Sequence, residues 1–140
     1  MARWLDNLQP WGALLLRLVL GAAMVYHGYS KVVPANGLHA SPLTALDHFS
    51  QFVESLGLPR WLGYVSAVTE FLGGAFLVLG LFTRFAAFMI AINMGVALVT
   101  VNLHHGYAAS EYTLALIAMA LMLLFFGAGA VALDRRFGFS

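Results

Sequence analysis

Apolar residues dominate the chain in four long stretches, approximately Trp11–Val33, Trp61–Phe82, Phe85–Leu103 and Tyr112–Leu133. Crossing a bilayer core takes roughly 20 residues of helix at about 1.5 Å rise each, and each stretch is about that long. None alternates apolar and polar residues as barrel strands do, so all four are predicted as helices whose backbone polar groups bond internally. The joints are short at Thr83-Arg84 and at His104–Glu111, and a polar tail follows Leu133. One connection is long. Within Pro34–Arg60, Leu46, Phe49, Val53 and Leu56 recur at helical spacing, and Thr44-x-x-Asp47 has the form of a capping box. This predicts a short amphipathic helix on the membrane surface, with a re-entrant segment as the competing reading. The fold class is therefore an all-α integral membrane protein: a single domain over residues 1–140, built as a bundle of four transmembrane helices with a short amphipathic helix in the first outer loop. Arg17 interrupts the first apolar stretch and three more spans follow, which argues for a retained helix rather than a signal peptide.

Composition narrows the function classes. Of 140 residues, 61% are hydrophobic and only 9% charged, and the mean hydropathy is +0.85. A soluble domain carries about 25% charged residues, so a soluble globular enzyme is excluded. The net charge of +1 gives no basic footprint for nucleic acid. The chain has no cysteine, which removes disulfides, thiol redox chemistry, iron–sulfur clusters and cysteine zinc sites together. Any redox role must use a cofactor or a partner. Orientation follows from Lys and Arg near the span ends: Arg3, Arg84, Arg135 and Arg136 on one side against Lys31 and Arg60 on the other. The excess predicts that both termini are cytoplasmic. Trp4, Trp11, Trp61, Tyr64 and Tyr107 fall near span ends, where amphipathic rings favour the headgroup zone.

An ionisable residue inside a span costs several kcal/mol unless paired or hydrated, so each is a functional candidate. The informative polar groups are Arg17, His27 and Lys31 on the first span, Glu70 on the second, the uncharged Asn93 together with His104 on the third, and Glu111 at the mouth of the fourth. At about 100° per residue, Arg17, Gly21, Met24, Gly28 and Lys31 share one face. Gly63, Ser66, Ala67, Gly73 and Gly74 share the face of Glu70; Asn93 aligns with Ala86, Ala97, Thr100 and His104; Glu111 aligns with Ala115, Ala118, Met122 and Gly129. Small residues let helices approach closely in lipid, so the four seams are expected to meet at the bundle centre. Arg17–Glu70 is the favoured internal ion pair, with His27 as the competing partner of Glu70. A buried pair of this kind can simply fix helix register. Alternatively, Glu70 and His27 pass a proton between mid-membrane and the outer face and are the catalytic candidates. Arg17, His27, Lys31, Glu70, Asn93 and His104 are the candidates for binding a substrate, a small anion or a quinone carbonyl. Lys31 can instead snorkel to the headgroups. His27, His104, His105 and Glu111, with His39 and His48 overhead, contain metal- or haem-ligating types at no specific spacing, so the expectation is no metal and no haem.

The ordered motifs resemble a family. Arg17-Leu-Val-Leu-Gly21 and His27-Gly28-Tyr-Ser-Lys31 are followed by Glu70-Phe-Leu-Gly73-Gly74, Gly80-Leu-Phe-Thr83-Arg84 and Phe126-Gly127-Ala-Gly129-Ala-Val-Ala-Leu133-Asp134-Arg135. In that order and spacing, over roughly residues 12–136, they resemble the DoxX family of small four-helix bacterial inner-membrane proteins. The resemblance places Arg17, Gly28, Lys31, Glu70, Gly73, Gly80, Arg84 and Asp134 at signature positions; Gly21, Gly28, Gly73, Gly74, Gly80, Arg84 and Asp134 are expected to be structural. Two departures stand out: Ala128 in place of a proline common in the family, which suggests a less rigid helix end, and a longer first outer loop with its Gly37–Pro42 insert. The resemblance implies a membrane subunit of a quinone-linked redox or respiratory complex, of the thiosulfate:quinone oxidoreductase or oxidative-stress kind. Such a chain is an oxidoreductase subunit rather than a self-sufficient enzyme. Its partners would be the lipid bilayer, membrane or peripheral oxidoreductase subunits, and other copies of itself. The alternatives are a non-catalytic scaffold or assembly factor and a small solute or proton transporter.

Overall fold

The computed structural model describes residues 6–34 and 41–139; Arg3, Trp4, His39 and most of the Gly37–Pro42 insert lie outside them. The four apolar stretches form α1 (Gln9–Val32), α3 (Arg60–Leu79), α4 (Thr83–Thr100) and α5 (Tyr107–Phe126), each long and apolar enough to cross a membrane. The short helix in the long connection is α2 (Pro42–Ser55), a 3₁₀ turn covers Asn102–His105, and α6 (Leu133–Phe137) follows the last span. Only 28–33% of each span is buried within the protein. The remainder bears Leu15, Val19, Leu72, Phe85, Phe88, Ile92, Val99 and Phe125 outward, an apolar surface suited to lipid.

Close backbone packing sets the bundle. A Cβ on Gly21 would lie 2.8 Å from the Gly74 carbonyl oxygen, and one on Gly28 would lie 2.5 Å from the Phe71 nitrogen. α1 and α3 therefore touch backbone to backbone, as small residues permit in lipid. Gly73, predicted on the same seam, instead faces Ile90 of α4 across ordinary van der Waals distance. Leu20, Met24, Leu77, Ala87, Ile90, Ala120 and Leu123 fill the centre.

Three local expectations change. α2 begins with Pro42 in its first turn, and Ser41 makes no side-chain cap bond. The Thr44–Asp47 box does not form. Asp47 instead accepts bonds from the Tyr64 hydroxyl and from Arg60 Nη2 at 3.3 Å, fastening α2 to α3. The fourth span starts at Tyr107 and stops at Phe126, because Gly127 (φ +79°) and Gly129 (φ +70°) turn the chain back toward the bundle. Its inward face is Ser110, Thr113, Leu116, Ala120 and Leu123. Glu111, Ala115, Ala118 and Met122 are exposed, so the seam predicted on Glu111 faces outward.

Candidate functional site

The Glu70 side chain is 3% exposed and sits about 15 Å along α3 from its start. Lys31 Nζ, from the last turn of α1, donates to both carboxylate oxygens at 2.7 and 2.6 Å. Asn93 Nδ2, from α4, donates to Oε1 at 3.0 Å. One carboxylate thus ties three helices together. The Lys31 ammonium also lies 4.2 Å from the centroid of the Phe49 ring on α2, within cation–π range. Lys31 does not snorkel outward. It turns into the bundle because Glu70 satisfies it there, and a buried charge without such a partner would be far costlier.

A cavity of about 290 Å³ adjoins this cluster, with Lys31, Glu70 and Asn93 in its wall. α2 supplies Phe49, Phe52 and Val53; α3 supplies Val65, Ser66 and Thr69; α4 supplies Met89, Ile92 and Val96. The lining is mainly apolar with polar groups converging at one place, which is the usual make-up of a small-molecule site. Hydrogen-bonding capacity is left over. An ammonium has three donors and two are spent on Glu70; a primary amide has two donors and an acceptor oxygen, of which Asn93 spends one donor.

Arg17 is elsewhere. Its Nη1 donates to the Ala128 carbonyl at 2.7 Å and, at 3.4 Å, to that of Ala130, while Nη2 donates to Val131 at 2.9 Å. The guanidinium lies against Gly80, where any Cβ would collide with it, about 15 Å along α3 from Glu70. The favoured Arg17–Glu70 pair is therefore absent. The register set by the Gly21–Gly74 contact carries Arg17 to the end of the bundle where α1 begins and α6 lies. There the segment Gly127–Ala132 forms a strap. Ala130 N–H donates to the Pro10 carbonyl and Asp134 N–H to that of Gly80, both at 2.8 Å. The Asp134 carboxylate accepts from Phe82 N–H at 2.6 Å and Thr83 N–H at 2.9 Å, capping α4. Gly80, at φ +65°, closes α3: its N–H bonds the Leu77 carbonyl and Leu81 N–H bonds that of Phe76, a turn that favours glycine. Gly80 and Asp134 thus meet through one backbone bond at the α3–α4 turn. Val131 is held at φ +48°, an unfavourable region for a β-branched residue, with its carbonyl aimed at Arg17.

The remaining candidates do not join the Glu70 cluster. His27 Nε2 lies 3.2 Å from the Tyr112 hydroxyl on the exposed side of α1, which removes it as a partner for Glu70. His105 Nδ1 bonds the Val101 carbonyl at 2.8 Å, and His104, Glu111 and His48 are exposed. Among the described residues no three His, Cys, Asp or Glu side chains gather as a metal site would require. Arg84 is exposed and lies beside Gly127 rather than in the core. The pocket residues that sequence reasoning missed are those of α2, Phe49 and Phe52 above all. Their amphipathic spacing was the available signal.

Comparison with known proteins agrees with this architecture. Residues 12–103, more than half of the chain, match the DoxX family profile. The Bacillus subtilis (strain 168) protein named "Putative oxidoreductase CatD" is 34% identical over 126 residues, covering 88% of this chain and 84% of its own. An uncharacterized protein of Haemophilus influenzae (strain ATCC 51907 / DSM 11121 / KW20 / Rd) is 31% identical over 140 residues, covering 95% of this chain and 96% of its own. No solved structure matches. On these matches, and with four spans in the expected order, the chain is a multi-pass membrane protein that belongs to the DoxX family.

Proposed function

We propose that this chain is the membrane subunit of a quinone-linked redox complex in a bacterial plasma membrane, and that the pocket beside Lys31, Glu70 and Asn93 holds the quinone head group. The observation that carries this reading is the unspent hydrogen-bonding capacity of those three residues in the wall of an apolar cavity. The third Lys31 donor and the second Asn93 donor suit a quinone carbonyl; the Glu70 carboxylate and the Asn93 oxygen suit a quinol hydroxyl. At about 290 Å³ the cavity lies at the small end of ligand sites, roughly 300–1,000 Å³, matching a single ring whose apolar tail extends into lipid. Bound quinone would supply the electron-carrying capacity that a chain without cysteine lacks. The name of the Bacillus relative supports an oxidoreductase connection. The Lys and Arg excess near both termini supports a cytoplasmic side for them.

The test is calorimetric titration of the purified full chain with a short-tailed quinone. Binding is expected in the parent and lost in Ala97→Phe, which fills the cavity from α4 while leaving the ion pair in place. Equal binding by parent and Ala97→Phe, or none by either, would refute the assignment. In the native complex, Glu70→Gln is expected to lower quinone-dependent turnover at unchanged protein level. A chain whose Glu70→Gln variant merely fails to accumulate uses the pair for folding.

A further inference from the structure

At the opposite end of the molecule from the Glu70 pocket lies a second cavity, of about 220 Å³. Its wall includes Gln9, the first residue of α1; Arg84, in the first turn of α4; Phe126, the last residue of α5; Gly127 and Gly129 of the strap; and Arg135 of α6. Two arginines thus face one hollow. Neither has a carboxylate within ion-pair distance among the described residues. Asp134, the acid beside Arg135 in sequence, is 3% exposed and committed to the Phe82 and Thr83 amides. That commitment also closes the start of α4 to any other anion. The cationic capacity of the cavity belongs to the two side chains.

We infer that this cavity binds a phosphate group through Arg84 and Arg135. Planar guanidinium forks match phosphate oxygens two at a time, and two of them converging on one hollow suit a tetrahedral anion better than a single carboxylate. The Arg84 side chain is placed along the strap: a Cβ at Gly127 would sit 3.4 Å from Arg84 Nε and Nη2. The cavity lies where three spans end, which is the depth of lipid phosphates. Phe126, in its wall, is 61% exposed, an apolar surface for acyl chains. Basic pockets between transmembrane helices are a recognised way of holding anionic headgroups. The phosphate has two sources, an anionic phospholipid or a soluble phosphate.

Thermal unfolding of the full chain in neutral detergent separates them. Phosphatidylglycerol, phosphatidylcholine and inorganic phosphate are titrated against the parent, Arg84→Gln, Arg135→Gln and, as a charge-matched control at the same end, Arg136→Gln. Phosphatidylglycerol is expected to raise the midpoint of the parent and of Arg136→Gln. The half-saturating concentration is expected to rise about ten-fold or more in either pocket variant, the loss of one charged hydrogen bond. An arginine-dependent rise with phosphatidylglycerol alone assigns a lipid headgroup; the same rise with inorganic phosphate assigns a soluble one. Three results overturn the inference: an equal rise with phosphatidylcholine that does not depend on the two arginines, a rise with phosphatidylglycerol retained in both pocket variants, or no rise with either phosphate source. Arg135 stands exposed on α6, so Arg135→Gln keeps the test decisive even if Arg84→Gln does not fold.

Discussion

Replacing Arg17 by methionine retains most of the aliphatic volume and removes every donor. Two well-placed bonds, to Ala128 at 2.7 Å and Val131 at 2.9 Å, and one longer bond to Ala130 hold the strap. Hydrogen bonds from a charged donor contribute about 1.5–3 kcal/mol each, so the two good ones amount to roughly 3–6 kcal/mol. Some of this is offset, because Arg17 Nε is buried without a partner and the charge need no longer be desolvated. The net weakening of the strap is therefore about 3 kcal/mol, a more than hundred-fold rise in its open population. The absence of native cysteine makes this directly readable. Ala132 is 8% exposed and lies against Gly80, so a thiol introduced by Ala132→Cys reacts with a maleimide only when the strap opens. The labelling rate should rise about a hundred-fold on adding Arg17→Met, since labelling tracks the open population when closing is fast. Arg17→Lys should fall between, its point charge being unable to span three carbonyls as the fork does. Equal labelling rates and equal thermal midpoints for the parent and Arg17→Met would show that the guanidinium does not hold the strap.

Further outcomes follow from the same geometry. Gly21→Ala and Gly28→Ala drive a methyl into the backbone of α3 and should sharply lower the folded yield in membranes. Gly95→Ala meets nothing within 4 Å and should be neutral or stabilising by up to about 1 kcal/mol, as for a helix-interior glycine. Asp134→Ala uncaps α4 and should cost about 1–2 kcal/mol, with Asp134→Asn milder, measured as detergent thermal midpoints. Lys31→Met strands the Glu70 carboxylate and should cost about 3–5 kcal/mol, whereas Lys31→Met with Glu70→Leu should recover most of that loss. If the double variant is no more stable than the worse single variant, the two groups are not acting as a pair.

Fold and site were legible in the sequence to different degrees. Spans follow from apolar length, which the bilayer thickness imposes directly, so all four were visible, as was the amphipathic α2. The inward face of α5 was not, because that helix is apolar on every side and its pattern names no direction. Lys31, Glu70 and Asn93 each stood out as polar groups within apolar stretches. Pairing them required the axial offset between α1 and α3, and that offset comes from the Gly21–Gly74 contact rather than from any count of residues from a span end. Arg17 was misassigned for a different reason. Its acceptors are the backbone carbonyls of Ala128, Ala130 and Val131, and a carbonyl has no letter in the sequence.

Arg17, which is buried, and Lys31, which is partly buried, therefore do different things, and the difference lies in what surrounds them. Around Arg17 the space is full: Gly80 lies against the guanidinium, three carbonyls receive it, and the strap that carries them is stitched to α1 and to the α3–α4 turn. At 1% exposure, and held by three carbonyls, the guanidinium acts as a fastener. Lys31 and Glu70 also join helices, yet a cavity lies beside them and both Lys31 and Asn93 retain unused donors. Packing alone would not call for this arrangement. An apolar side chain filling the cavity would stabilise the bundle more cheaply than a buried ion pair beside a hollow. The occurrence of both in one place supports the proposal that ligand chemistry belongs at Glu70, whereas Arg17 serves the architecture. Filling the cavity by Ala97→Phe should accordingly raise the thermal midpoint while abolishing quinone binding, a trade-off that a purely structural ion pair would not produce.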